Sequence, residues 1–278
     1  MIYFDGLQRP ILTNQDNYLS IDRILRYVLN RFQGHMAQDR MMRSAESKRR
    51  HNSEAGYPRG AETRARIILA ALEAFGTHGF GGTSTRLLAD KAGVTLPALQ
   101  YYFDDKEGLY LACAAYIAEA LASRLGPQIE KIAVRVADPT TSRRALRGLL
   151  DELLDNLADL FLGTHELEKW VLFIIREQAQ PTKAFDIIYE HVMRKVAMSC
   201  AALIAQIVNR PSIDSEVRLC AAGLIGQIIF FRTGRTAVLR FLDWPDFDAD
   251  RLATVKVMLR NHTTAALGEL RKATRRTP

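Results

Sequence analysis

The sequence is poor in cysteine and proline, with three and nine among 278 residues, and no apolar run approaches the length that spans a bilayer. Each scarcity excludes something. Cys113, Cys200 and Cys220 are far apart, fit no metal-ligand spacing and sit in apolar helical patterns, so they read as core thiols in a reducing compartment. The opening residues, MIYFDGLQRPILTNQD, carry acids and no clean apolar core, unlike a signal peptide. A cytoplasmic protein without a membrane partner is the expectation.

Catalytic signatures are missing as well. His165-Glu166-Leu167-Glu168-Lys169 begins like a zinc-protease motif but ends in Lys, so the second imidazole is absent. There is no G-x-S-x-G, no P-loop and no dinucleotide fingerprint; Gly79 to Gly82 lies between helices rather than after a strand. No enzyme, cofactor or metal is expected. Beyond Pro127 strand-like alternation bounded by turn pairs is absent too and the periodicity remains helical, which with the helices before it gives an all-α fold.

What is present concentrates between Thr83 and Glu107. Thr83, Ser84 and Thr85 offer hydroxyl caps to a short helix from Arg86 to Ala92, which Gly93 ends in the left-handed conformation that glycine tolerates. Thr95 caps a second short helix, Leu96 to Phe103, with Pro97 in its first turn, where its missing N–H removes no helical bond. Two short helices joined this way meet steeply and leave the outer face of the second free for a major groove. That face carries Thr95, Leu96, Ala98, Gln100, Tyr101 and Tyr102. Asp104 reads as the cap of the next helix, with Glu107 completing a capping box and Lys106 near a passing phosphate. Thr63, near the start of a bracing helix from Ala61 to Thr77, lies where a helix N-terminus meets a backbone phosphate.

The string resembles the DNA-binding domain of the tetracycline-repressor (TetR) family over roughly fifty residues, Thr63 to Ala112. An F-x-x-x-G turn stands at Phe75 to Gly79, a Thr-rich cap at Thr83 to Thr85, an A-x-x-A-G-V-T elbow at Ala89 to Thr95, and Y-Y-F-x-D-K-E-x-L at Tyr101 to Leu109. The family often has Tyr where this chain has Gln100, so its base reading departs there. The resemblance implies a sequence-specific DNA-binding transcription regulator, a repressor released from its operator by a small effector. Arg86, Thr95 and Gln100 to Tyr102 are the expected DNA contacts, with Thr85 and Lys106 mostly on phosphates.

The net charge of +7 is modest, so its placement matters more than its sum. Between Arg40 and Arg66, eight basic residues (Arg40, Arg43, Lys48, Arg49, Arg50, Arg59, Arg64, Arg66) stand against three acids (Glu46, Glu54, Glu62), and a basic arm just upstream of a DNA-binding head neutralises phosphates without reading sequence. Residues 1–58 form an N-terminal extension or the product of a mis-set start, since Met36, Met41 and Met42 lie just before the arm. Within it Ser20 to Phe32 has the stripe of an amphipathic helix. The expected division continues with the head at 59–107, a connecting helix at 108–127 ended by Gly126-Pro127, and a body at 128–278. Body helices are expected near 128–136, 141–162, 165–179, 182–208, 213–242 and 247–273.

Arg176 and Glu177 follow the apolar run Trp170 to Ile175 in the helix 165–179, and charges in an apolar bundle must be paired or meet a ligand. The strings REQAQP (Arg176 to Pro181) and GQIIFFRTGRTAVLRFLDW (Gly226 to Trp244) resemble the C-terminal domain of the CecR-like branch of the family. That resemblance implies a homodimeric body binding a small hydrophobic or amphipathic molecule, with Trp170, Phe173, Arg176, Phe185, Tyr189 and Phe231 as pocket candidates; periodicity alone makes most of these core. Leu219, Ala222, Gly223, Gly226 and Ile229, with Leu252, Val255 and Leu259 on the last helix, are the expected dimer face, presenting two heads to a pseudo-palindromic double-stranded operator. Two other readings remain open, a regulator controlled by a protein partner and a nonspecific architectural DNA binder.

Overall fold

A computed structural model describes residues 57–163 and 168–276; the Ser20–Phe32 stretch, the three candidate start methionines and the arm from Arg40 to Arg50 lie outside them. Among the described residues all regular structure is helical. The head comprises α1 (Tyr57–His78), α2 (Thr85–Ala92) and α3 (Leu96–Phe103). The chain continues through α4 (Lys106–Ala137), α5 (Arg143–Leu162), α6 (Glu168–Ala179) and α7 (Lys183–Ile188). A π-helical turn (Tyr189–Met193) leads into α8 (Arg194–Val208), followed by α9 (Ser215–Thr233), α10 (Arg235–Phe241) and α11 (Ala249–Arg276).

Head and body share α4. Its stripe of Leu109, Cys113, Ile117, Leu121, Leu125, Ile129, Ile132 and Val136 is buried along the whole length. Burying each Leu or Ile side chain contributes about 1.5–3 kcal/mol, so α4 has apolar partners at both ends. The expected break at Gly126-Pro127 does not occur, and one helix runs through Pro127. Pro127 and Ser123, four residues earlier, both lie on the exposed side, where water can serve the Ser123 carbonyl that loses its N–H partner. Gly126 has no Cβ to collide with the pyrrolidine ring.

Other boundaries shift for equally local reasons. The helix expected over 213–242 is two, because the chain bends by 82° between α9 and α10 at Gly234. The stretch 183–208 is continuous but carries the π turn. By length and composition it could cross a membrane, yet 61% of its apolar window is buried inside the protein, as in the core helix of a bundle. Cys113 and Cys200 are buried and Cys220 half-buried, all as free thiols; burial pushes Cys200 up to about 12 and raises Cys113 and Cys220 as well.

Candidate nucleic-acid interface

Helix α3 is eight residues long, too short to persist alone in water, so its neighbours must hold it. Leu99 and Phe103 do so, at 0% and 5% exposure in the head core with Phe75 and Leu88. Ser84 caps α2 by accepting from Leu87 N–H (3.2 Å), and Thr95 caps α3 by accepting from Ala98 N–H (3.3 Å). Gly93 closes α2 at φ 61°, while Val94 N–H returns to the Ala89 carbonyl at 3.0 Å. The cap of α4 is Asp105, not Asp104: its carboxylate accepts from Gly108 N–H at 2.7 Å. Asp104 instead takes the left-handed turn that ends α3, at φ 59°.

With Leu99 and Phe103 turned inward, the rest of α3 faces out. Tyr101 is 83% exposed, Thr95 and Gln100 are exposed, and Leu96 and Ala98 are half-buried. Arg86 on α2 is exposed and Thr85 half-buried. Tyr102 is also half-buried, edge-on to Tyr101 with ring centroids 5.3 Å apart. Thr63 stands in the second turn of α1 rather than its first, because the helix begins at Tyr57. Lys106 is partly committed within the head: its ammonium donates to the Phe80 and Thr83 carbonyls (3.1 and 3.2 Å) and lies 4.2 Å from the Phe80 ring centroid. Thr83, expected to cap α2, is buried and donates its hydroxyl to the Gly79 carbonyl at 2.7 Å.

The five aromatic effector candidates separate by their ring contacts. Phe173 packs on Tyr110 (4.6 Å) and Trp170 on Tyr116 (5.8 Å), against α4. Phe185 stacks on Tyr189 (5.7 Å) at the entry to the π turn, and Phe231 meets Phe247 (6.2 Å). Arg176 bonds backbone carbonyls of α1, Gly76 through Nε (3.0 Å) and Thr77 through Nη2 (2.8 Å). Glu177, 2% exposed, accepts from the Tyr110 hydroxyl (2.6 Å) and from Thr182 N–H and Oγ1 (3.1 and 2.8 Å). Tyr110 was not singled out from the sequence, where it reads as one more apolar position of α4. An open cleft of about 340 Å³ lies elsewhere, with Arg143, Arg144, Arg147 and Arg271 around Ile207, Val208 and Leu267; none of the six candidates lines it.

On the expected dimer face, Leu219 is 74% exposed, Ala222, Gly223 and Gly226 are exposed and Ile229 is half-buried. Leu252, Val255 and Leu259 are all buried in the protomer's own core, as the inward stripe of α11. Periodicity identified that stripe but not what covers it.

A pair of short capped helices with an exposed second helix, mounted on a larger helical body, defines a helix-turn-helix DNA-binding regulator. Comparison with known proteins agrees. Residues 67–113 match the bacterial regulatory proteins of the tetR family, and residues 146–270 match the C-terminal domain of the HTH-type transcriptional dual regulator CecR. The chain is 33% identical over 213 residues to the CecR of Shigella flexneri, covering 76% of this chain and 94% of that protein. Its match to the regulatory protein RaaS of Mycobacterium tuberculosis is 42% over 77 residues, 28% of this chain and 34% of that one. A TetR-like regulator from Rhodococcus sp. RHA1 shares the fold at a TM-score of 0.51 and 20% identity, over 73% of this chain and 96% of that chain. The chain belongs to the TetR family of transcriptional regulators, with a CecR-type C-terminal domain.

Proposed function

We propose that the protein is a cytoplasmic homodimeric repressor that reads a pseudo-palindromic operator through α3 and is released by a small hydrophobic or amphipathic effector in its body. The observation carrying the reading is the division of α3, with Leu99 and Phe103 locked in the head core while Thr95, Gln100 and Tyr101 face water. Gln100 offers an amide able to pair bidentately with an adenine edge, and Tyr101 an apolar ring with a polar tip. Arg86 and Thr85 lie beside them for phosphate, as does any Lys106 donor left after its two carbonyls.

Dimerisation has separate support. A Cβ placed on Gly223 or Gly226 would meet nothing within 4 Å, so the protomer's own packing does not require their smallness. Close approach of a second copy of α9 would, and Leu219 and Phe230 on the same helix (74% and 59% exposed) supply apolar area to bury. The effector site is assigned to the body because α6 places Trp170 and Phe173 directly on α4, the helix that also carries the head. Residues 59–107 serve as head, 108–127 as connector and 128–278 as effector-binding and dimerisation body.

Fluorescence anisotropy of the full chain with operator and random duplexes tests the reading. Gln100→Ala with Tyr101→Ala should weaken operator binding by roughly 1–3 kcal/mol per lost base contact while leaving random-DNA binding nearly unchanged. Equal losses on both duplexes would show that these side chains read no sequence.

A further inference from the structure

The C-terminus of α1 is not completed by the head alone. The last carbonyls of a helix have no partner within it and must be served from outside. Here the Phe75 carbonyl accepts from Gly79 N–H (2.8 Å), as in a self-closed turn, and the Gly79 and Phe80 carbonyls are held by Thr83 and Lys106 of the head. Of the three between, Gly76 and Thr77 accept from the guanidinium of Arg176, a hundred residues away on α6. A cation is also the favoured charge at that end of the helix dipole. Gly79, at φ 72°, lets the guanidinium lie close, since a Cβ there would stand 3.2 Å from Arg176 Nη1.

The next residue fixes the arm from behind. Glu177 is buried and takes three donors, one from Tyr110 on α4 and two from Thr182 at the start of α7, so its carboxylate is satisfied without a cation. Burial, followed by the bond to Glu177, raises the Tyr110 phenol, which keeps it a neutral donor. Tyr110 also stacks edge-on against Phe75 and Phe80, the residues that frame the α1 turn (4.8 and 5.0 Å). Another link between these elements, Lys183 to Glu107, is an exposed pair of little energetic weight.

We infer that Arg176 is a positioning residue for operator reading: it completes α1 from the body, so the angle at which α3 is presented to DNA follows the position of α6. Glu177 holds the arm in register with α4. The inference deepens the function proposed above and rests on it for release: Trp170 and Phe173 precede Arg176 on the same helix, so an effector that shifts their packing on α4 withdraws the guanidinium from Gly76 and Thr77. Coupling then equals the difference in effector affinity between the attached and detached states.

The test compares full-length wild type, Arg176→Ala and Arg176→Lys. Anisotropy reads operator and random-DNA affinity, thermal melting reads fold, and electron–electron spin distances read head against body. Labels go at Asp90→Cys on α2 and Arg144→Cys on α5 in a Cys220→Ser background, with labelled subunits diluted in unlabelled protein. For Arg176→Ala the melting temperature should change little and random-DNA affinity should hold. Operator affinity should fall roughly tenfold, a typical coupling magnitude, and the Asp90–Arg144 distance distribution should broaden. Lys, able to serve one carbonyl, should recover part of both effects. An unchanged distribution, or equal losses on both duplexes together with a lower melting temperature, would overturn the inference. Absence of sequence preference in wild type would defeat the proposed function instead, and the distance distributions would still decide whether Arg176 orients the head.

Discussion

Single residues in the head show which details a sequence can disclose. Gly93 was legible because a glycine between a short apolar helix and a capping Thr has one common use, and it stands at φ 61°. A Cβ there would meet nothing within 4 Å, so its replacement costs backbone strain alone. Gly93→Ala should therefore lower the unfolding free energy by about 1 kcal/mol in urea titration, with Gly93→Asn losing less; no loss would mean α2 ends without the left-handed residue. The Asp104 and Asp105 pair was less legible. Both are good caps, and the sequence does not say which one ends α3 and which begins α4. Arg176 and Glu177 were recognisable as charges in need of partners, but Gly76, Thr77, Tyr110 and Thr182 lie up to a hundred residues away, and only the fold brings them in.

At the scale of elements, local chemistry located the two short helices of the head almost to the residue, since caps and glycine act within one turn. The body was read less well where packing overrides local preference. Pro127 looks like a stop, yet apolar contacts on both sides carry α4 through it. An interior proline costs up to about 3 kcal/mol against alanine, so Pro127→Ala should raise stability by roughly 1–3 kcal/mol with unchanged far-ultraviolet dichroism. A loss of stability would mean that α4 needs the shape the proline gives it. The bend at Gly234 was missed because no proline marks it: the polar run Arg232 to Thr236 separates the apolar stretches of α9 and α10, and the backbone turns there by 82°. Helical period likewise identified Leu252, Val255 and Leu259 as one stripe without telling the protomer's own core from a partner surface.

For the whole molecule, the head's fold and outward face were legible because a helix-turn-helix is a local motif with fixed spacing. The effector site was not, because it depends on how distant helices pack: the five aromatic candidates fall into separate ring clusters, and Arg176 bonds to α1 instead. The central claim joins both scales, holding that two heads on a twofold body read sequence. Selection of bound duplexes from a random-sequence library by the full-length protein tests it most directly. The account predicts enrichment of one inverted repeat whose half-sites lie about one turn of DNA, roughly 34 Å, or a multiple apart, with enrichment surviving a rise in salt. Recovery of unrelated sequences, with binding erased by salt, would contradict it and leave a head that binds phosphate charge alone.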